Sequence, residues 1–447
     1  MASRILAAPV QRSKYICDSC LSGARLLRNK KVAAPRVFST ASSQTFQVTT
    51  QRRCRRSQHD RRPIAVSATH NGFSRLPTAL RSYSTEASTA QAIASGIAPL
   101  PHRSLIFLSG PTASKFLHGL ITHDATRVSP FYAAFLDARG RVICDVFIWV
   151  WPELIAQQGH WACYIEVDAG QANALMLHLK RHKLRHKLTI SQVPAEGRDC
   201  IKVWAAWGDA HIQVKDWGEI AGLQDPRAPG VYRYLANADR ETIARDMQPV
   251  DTKFYDIQRY IHGVPEGSAE MPPYSTLPME ANIDLNSGID FKKGCYIGQE
   301  LTIRTKHTGV VRKRILPVRF HAGGAGAADP QAPVNPSFAP QPQPGMDIRT
   351  LDDTGALSKG RPTGRIVAAI GNVGLATCRI ENMTSMRVST EGGFYKEGTQ
   401  FGVDVDGQVV RVEPVVHDWF VERKEALWGR GEKMKKSWVE KAQEELD

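Results

Sequence analysis

No apolar run in this chain of 447 residues approaches the roughly 18 residues that a membrane-spanning helix needs. Its most apolar stretch, Phe147-Ile148-Trp149-Val150-Trp151, has the length of a buried strand. Acidic residues are nearly missing from the first 85 positions. There, 16 Lys and Arg stand against two acids, a surplus equal to the formal charge of +14 for the whole chain. Beyond Thr85 the two signs balance at 42 each. The net basicity that would point to a nucleic-acid partner therefore has no support outside the leader, and nucleic-acid binding is set aside. Cysteine at metal-ligand spacing is also scarce. Of eight cysteines, Cys17, Cys20 and Cys54 fall in the basic leader, so the CxxC at 17–20 is discounted. Cys144, Cys163, Cys200, Cys295 and Cys378 stand too far apart for a self-contained zinc or iron–sulfur site.

The leader is rich in Arg, Ser and Ala, the composition of an organelle transit peptide. Arg81-Ser82-Tyr83-Ser84 places an arginine two residues before an aromatic, so the expected cut follows Tyr83. Arg36-Val37-Phe38-Ser39 has the same form and is a rival site. This assigns residues 1–83 to a mitochondrial transit peptide and the mature chain to the matrix, where a reducing environment disfavours disulfides. Residues 84–97 are a flexible lead-in.

Further along, Ile106–Leu108 reads as a strand and Thr112–Leu120 as a helix capped by Thr112. Tyr132–Leu136 and Arg141–Val150 form a hairpin around Asp137-Ala138-Arg139-Gly140. Gln171–Leu188 is predicted helical, with Ala174, Leu175, Leu177, Leu179 and Leu184 on one face and Lys180-Arg181-His182-Lys183 on a solvated face. Tyr255 and Tyr260 read as core or as the lining of a pocket. The Pro, Gly and Ala of 316–345 cannot build a core and read as a loop. Residues 346–423 carry β-prone runs at Gly364–Ala369, Gly374–Ile380 and Gln408–Val412, and 424–447 read as a terminal helix or charged tail.

The densest signal is Lys292-Lys293-Gly294-Cys295-Tyr296-Ile297-Gly298-Gln299-Glu300, followed by Arg304. A thiol ligates or attacks as its thiolate, which neighbouring cations favour, and Lys292 and Lys293 precede Cys295. Gly294 and Gly298 suit a tight turn that would present the sulfur at a loop tip. This run resembles the signature of the YgfZ branch of the folate-binding, aminomethyltransferase-like (GcvT-like) superfamily. Leu-Ser-Gly-Pro at 108–111, Phe-Leu-His-Gly-Leu-Ile-Thr-His-Asp at 116–124, Phe-Leu-Asp-Ala-Arg-Gly-Arg at 135–141, Asp-Pro-Arg at 225–227 and Pro-Met-Glu-Ala-Asn-Ile-Asp at 278–284 also fit. The likeness spans about residues 100–420. It implies an α+β fold: two intertwined ferredoxin-like domains over 98–315, then a C-terminal antiparallel β-barrel.

The resemblance also implies chemistry. Transferases of the superfamily carry adjacent carboxylates in the first-domain strand, whereas here Cys144 occupies one position and Asp145 remains. Glu280 and Asn282 match the stretch that contacts the pterin-like end of folate, and a carboxylate suits an aminopyrimidine. Asp145, Glu280 and Asn282 are thus the candidate folate pocket, with Asp145 and Glu280 expected to face one cavity. Lys293, Gly294, Cys295, Tyr296, Gly298, Gln299, Glu300 and Arg304 are the motif residues. A two-iron (2Fe–2S) cluster needs four ligands. A chain with one well-placed thiol can complete such a cluster only together with a partner, so Cys295 is the candidate ligand of a transient shared cluster. The branch implies A-type iron–sulfur carriers as partners and 4Fe–4S enzymes as clients, with no tightly bound cofactor. The expected role is an assembly factor rather than an enzyme; the alternative is a folate-dependent one-carbon transferase using tetrahydrofolate.

Overall fold

The computed structural model describes residues 93–429 except 198–199, 214–219, 238–247, 309, 324–332, 389–392 and 394. The leader, its cleavage sites, most of the 84–97 segment and the tail beyond Gly429 lie outside the described residues.

Two antiparallel sheets and a barrel carry the chain. The first sheet is built from β2 (Arg103–Ser109), β3 (Phe131–Leu136), β4 (Val142–Trp149), β5 (Ala162–Asp168) and β6 (Thr189–Gln192), in the order β3-β4-β5-β2-β6. The second contains β1 (Gly96–Pro99), β7 (Ile201–Trp207), β8 (Ala221–Gln224) and β9 (Val231–Asn237), in the order β1-β7-β9-β8. Because β1 precedes the first sheet in sequence yet pairs with β7, the two halves are interleaved. This is the intertwined α+β arrangement expected from the sequence.

β4 shows why the halves pack as layers. Every residue of Val-Ile-Cys-Asp-Val-Phe-Ile-Trp is buried, so both faces of the strand are covered. Phe147 and Trp149 join the core shared with β7 and with the helix Thr252–Ile261. Val146 and Ile148 face the helices Ala113–His118 and Ala172–Lys183. The alternation follows from the period of two in a pleated strand. Asp145 shares the parity of Phe147 and Trp149, which turns a carboxylate into the central core.

The closed barrel has the order β10-β13-β12-β11-β14-β15, from β10 (Lys313–His321), β11 (Asp347–Thr350), β12 (Gly364–Ile370), β13 (Val373–Arg379), β14 (Phe401–Val405) and β15 (Gln408–Pro414). Several expectations need correction here. The loop was read from 316, but residues 313–321 are the first barrel strand; Arg314–Val318 are all buried, and seven residues of β10 pair with β13. The terminal helix or charged tail was read from 424, but the helix begins earlier and covers 418–429. Its Trp428 is buried and donates from its indole N–H to Asp284 at 3.1 Å. The helix read over 171–188 ends at Lys183, because Leu184 takes φ +43°. Only Leu175 and Leu179 of its expected face are buried, with Ala172 and Met176 beside them, while Leu177 and Leu184 point outward. Thr112 makes no cap; its hydroxyl donates to Lys187 O at 3.3 Å.

Tyr255 and Tyr260 are core residues. Beside them, burial and the neighbouring His417 hold the His262 imidazole down to about 4, and burial does the same to His178. The unfolded chain then binds more protons than the folded one between about pH 4 and the ordinary histidine value near 6.5. Stability is full above that window and falls as pH drops through it. We expect the urea midpoint to fall between pH 6.5 and 4, and His262→Gln to remove a part on the order of 2 kcal/mol.

Candidate functional site

Cys295 sits on a loop whose neighbours are fastened on several sides. The Lys293 ammonium donates to His118 O at 2.5 Å and Ile121 O at 2.8 Å, two carbonyls at and just beyond the end of the helix Ala113–His118. Ile297 N donates to Gly119 O at 3.1 Å, and Asp290 N to Thr122 O at 3.0 Å. Tyr296 is buried, with the Lys293 ammonium 4.7 Å from its ring centroid. Its backbone N–H donates to the Gln299 side chain at 3.2 Å, which ties the loop to the start of the helix Gln299–Thr308. Glu300 stands exposed in the first turn of that helix, where a carboxylate suits the dipole, and Arg304 is exposed on it.

Gly298 has φ +82°, and a Cβ there would run into Asp137 O and Leu136 in the β3–β4 turn. Only glycine fits. Gly294 differs from the expectation: it does not take the left-handed conformation, and a Cβ there would meet His118 Nε2 at an ordinary 3.5 Å. His118 Nδ1 lies 3.0 Å from Asp124 Oδ1, so a carboxylate-oriented imidazole borders the cysteine loop. The sequence reading missed His118 and Asp124 as neighbours of Cys295. Their only sequence signal was the 116–124 run itself.

The five cysteines separate cleanly. Cys144, Cys163, Cys200 and Cys378 are buried and Cys295 is exposed. Burial pushes the Cys378 thiol up to about 12, and the Cys144 and Cys163 thiols well above their usual range. Those three stay protonated at neutral pH and behave as small apolar groups.

Lys293 does more than flank the thiol. It is a fastener turned inward, and burial pushes its ammonium down to about 8. Lys293→Met should leave two carbonyls without their donor and cost about 1–3 kcal/mol. Lys293→Glu should detach the loop altogether by setting a carboxylate against them. Proteolysis at 290–298 should quicken in the order wild type, Met, Glu; equal rates for all three would contradict this role.

Asp145, Glu280 and Asn282 stand in different surroundings. Asp145 Oδ1 accepts from Gly267 N at 3.0 Å, and its carboxylate lies 3.7 Å from Arg103 and from Arg227. Around it runs a buried network. Arg227 contacts Asp225 at 2.8 Å and Glu266 at 2.7 Å; Arg233 contacts Glu166 at 2.5 Å and Glu266 at 2.8 Å; Arg103 contacts Glu166 at 2.8 Å. Asn282 is buried at φ +58° and spends its amide on the first barrel strand, with Nδ2 donating to Ile315 O at 2.6 Å. Glu280 alone borders a cavity of about 260 Å³, with Leu277, Leu301, Thr302, Thr305 and Val311 among its lining residues. Burial raises its carboxyl above the usual carboxylate range, against the pull of Lys313 and Arg141. Asp145 and Asn282 are not among the residues that line that cavity. No folate step is derived from them.

Residues 312–421 match the CAF17 C-terminal β-barrel domain. The chain is 98% identical over 395 residues, 88% of its own length and 97% of the relative's, to the mitochondrial iron–sulfur cluster assembly factor IBA57 homolog of Phaeosphaeria nodorum. To the homolog of the same description from Aspergillus fumigatus it is 37% identical, over 69% of this chain and 75% of the other. Aminomethyltransferase T of the glycine cleavage system of Bartonella henselae superposes with a TM-score of 0.53 at 15% identity, covering 75% and 89% of the two chains, a likeness of fold alone. With an interleaved α+β body, a closed six-stranded barrel and relatives of this identity and coverage, the chain belongs to the IBA57 family, whose named members are mitochondrial iron–sulfur cluster assembly factors.

Proposed function

We propose that this protein is a mitochondrial iron–sulfur cluster assembly factor in which Cys295 supplies one ligand to a cluster held mainly by an A-type carrier, on the route to 4Fe–4S enzymes. One observation carries the reading: Cys295 is the exposed thiol among the five cysteines of the described chain, on a loop whose flanks are fixed. No group of three or more His, Cys, Asp or Glu positioned for a metal ion occurs among the described residues. Soft thiolate suits iron, and a lone thiol completes a cluster without owning it. The cluster is cargo, so a ligand that reaches solvent from a rigid base serves transfer better than a closed cage. The fixed flanks hold the sulfur in one place before the partner arrives, which lowers the ordering cost of association.

The test is complementation. Mitochondria depleted of this chain should lose 4Fe–4S enzyme activity while 2Fe–2S ferredoxin is spared. Wild type should restore it, and Cys295→Ser, imported to the same level, should not. Full restoration by the serine variant would overturn the ligand role.

A further inference from the structure

The helix Ala172–Lys183 and the turn after it carry a surface that the cluster chemistry does not use. Residues 169–195 contain five Lys and Arg, three His and no Asp or Glu. Leu177 is 65% exposed and Leu184 is 85% exposed. Spacing of i, i+3 and i+4 sets Leu177, Lys180 and Arg181 on one outward stripe, and exposed Leu184 follows directly at the helix end. The opposite stripe, Ala172, Leu175, Met176 and Leu179, is buried. The cations continue past the helix with Arg185 and Lys187, both exposed. The neighbouring helix Ala113–His118 adds exposed Lys115, and its Phe116 packs on His186 at 5.3 Å between centroids.

Lysines and an arginine in a last helical turn are explained by the helix dipole. That accounts for residues 180–183. It does not account for Arg185, Lys187 and Lys115, nor for two leucines left in water among them. The surface is the shoulder of a helix and its following turn. A folded partner would need a cleft shaped for Leu184, whereas a bilayer accepts an apolar side chain wherever it lands. A one-signed field with no acid in it matches a continuous sheet of phosphates.

We propose that this shoulder is a peripheral docking site for an anionic phospholipid bilayer. Leu177 and Leu184 enter the acyl boundary, and Lys180, Arg181, Arg185 and Lys187 meet headgroup phosphates. Long basic side chains lay their stems along the boundary while their heads stay with the phosphates. The Cys295 loop is fastened at His118, the end of the short helix Ala113–His118 whose Phe116 packs on His186 of this surface.

Flotation of the full chain with phosphatidylcholine vesicles, with and without phosphatidylglycerol, tests this at low and high salt. The leader is itself basic, so the readout is the difference between wild type and variants in the same full-length background. Wild type should float with anionic vesicles at low salt and not with phosphatidylcholine alone. The pair Lys180→Glu and Arg181→Glu should lower the bound fraction about tenfold or more. The pair Leu177→Ser and Leu184→Ser should lower it about tenfold with the salt dependence kept. Hydrogen exchange across 177–187 should slow only with anionic vesicles. Four results would overturn the proposal: wild type failing to float, equal binding to both vesicle types, exchange unchanged across 177–187, or variants that float as wild type does. Variants that float normally but lose an acidic protein partner would assign the surface to that partner instead. None of these readouts involves Cys295 or a cluster, so failure here leaves the assembly reading standing.

Discussion

Arg227→Leu is expected to cost about 3–5 kcal/mol of folding stability, because it strands carboxylates in a place that water does not reach. Arg227 is fully buried and grips Asp225 with Nε at 2.9 Å and Nη2 at 2.8 Å, while Nη2 also reaches Glu266 at 2.7 Å. Its guanidinium lies 4.7 Å from the Phe147 ring centroid and 5.0 Å from that of Tyr132. The leucine would keep some of the apolar contact and remove every donor. Glu266 would retain Arg233 and the Tyr255 hydroxyl, but Asp225 would keep only the backbone N–H of residue 227 at 2.9 Å and Arg233 at 3.6 Å. Domains typically have about 5–15 kcal/mol in total, so much of the margin is at stake.

Asp145→Asn is the informative contrast. It preserves the acceptor for Gly267 N and removes attractions that act across 3.7 Å, so a loss near 1 kcal/mol is expected. Urea unfolding of both variants checks the pair. An Arg227→Leu loss below about 1 kcal/mol would show that the network relaxes around the change.

Cys295→Ser has the largest expected effect on function and almost none on the fold. The side chain is exposed and the change creates no core cavity, so stability should move by no more than about 0.5 kcal/mol. Cluster-dependent association should collapse, because a hydroxyl is a hard and poor ligand for iron. Cys144→Ser and Cys378→Ser should behave in the opposite way. Both thiols are buried, so the added polarity should cost stability while leaving association intact in whatever protein folds. The same atom change thus gives opposite signatures according to where the sulfur sits.

Much of this was legible in the sequence because it is local. The β3–β4 hairpin lies between Tyr132 and Val150 around Asp137–Gly140, and three barrel strands read as β-prone runs. The cysteine motif is contiguous. What was not legible depends on distance along the chain. Arg103, Asp145, Glu166, Asp225, Arg233 and Glu266 meet only because β2, β4, β5 and β9 are brought together, and no local pattern marks such a convergence. The fastening role of Lys293 was not legible for a related reason: its carbonyl partners are more than 170 positions away. Leu177 and Leu184 were placed in the core because helical periodicity assigns a face but not which face is covered. The helix also stops before Leu184, where φ turns positive. β10 was not read because the loop was taken to begin at 316, yet Pro317 sits within a strand paired to β13.

Anaerobic mixing of the reduced chain with an A-type carrier loaded with a 2Fe–2S cluster, followed by gel filtration with visible absorption, tests the central claim most directly. Wild type and Cys295→Ser are compared, with circular dichroism as the control for folding. The account predicts a complex that elutes with the cluster bands for wild type, and for the serine variant a folded protein that elutes apart from the carrier. A serine variant that forms the complex and holds the cluster as well as wild type would contradict it, and the Cys295 loop would then be a structural element of the fold.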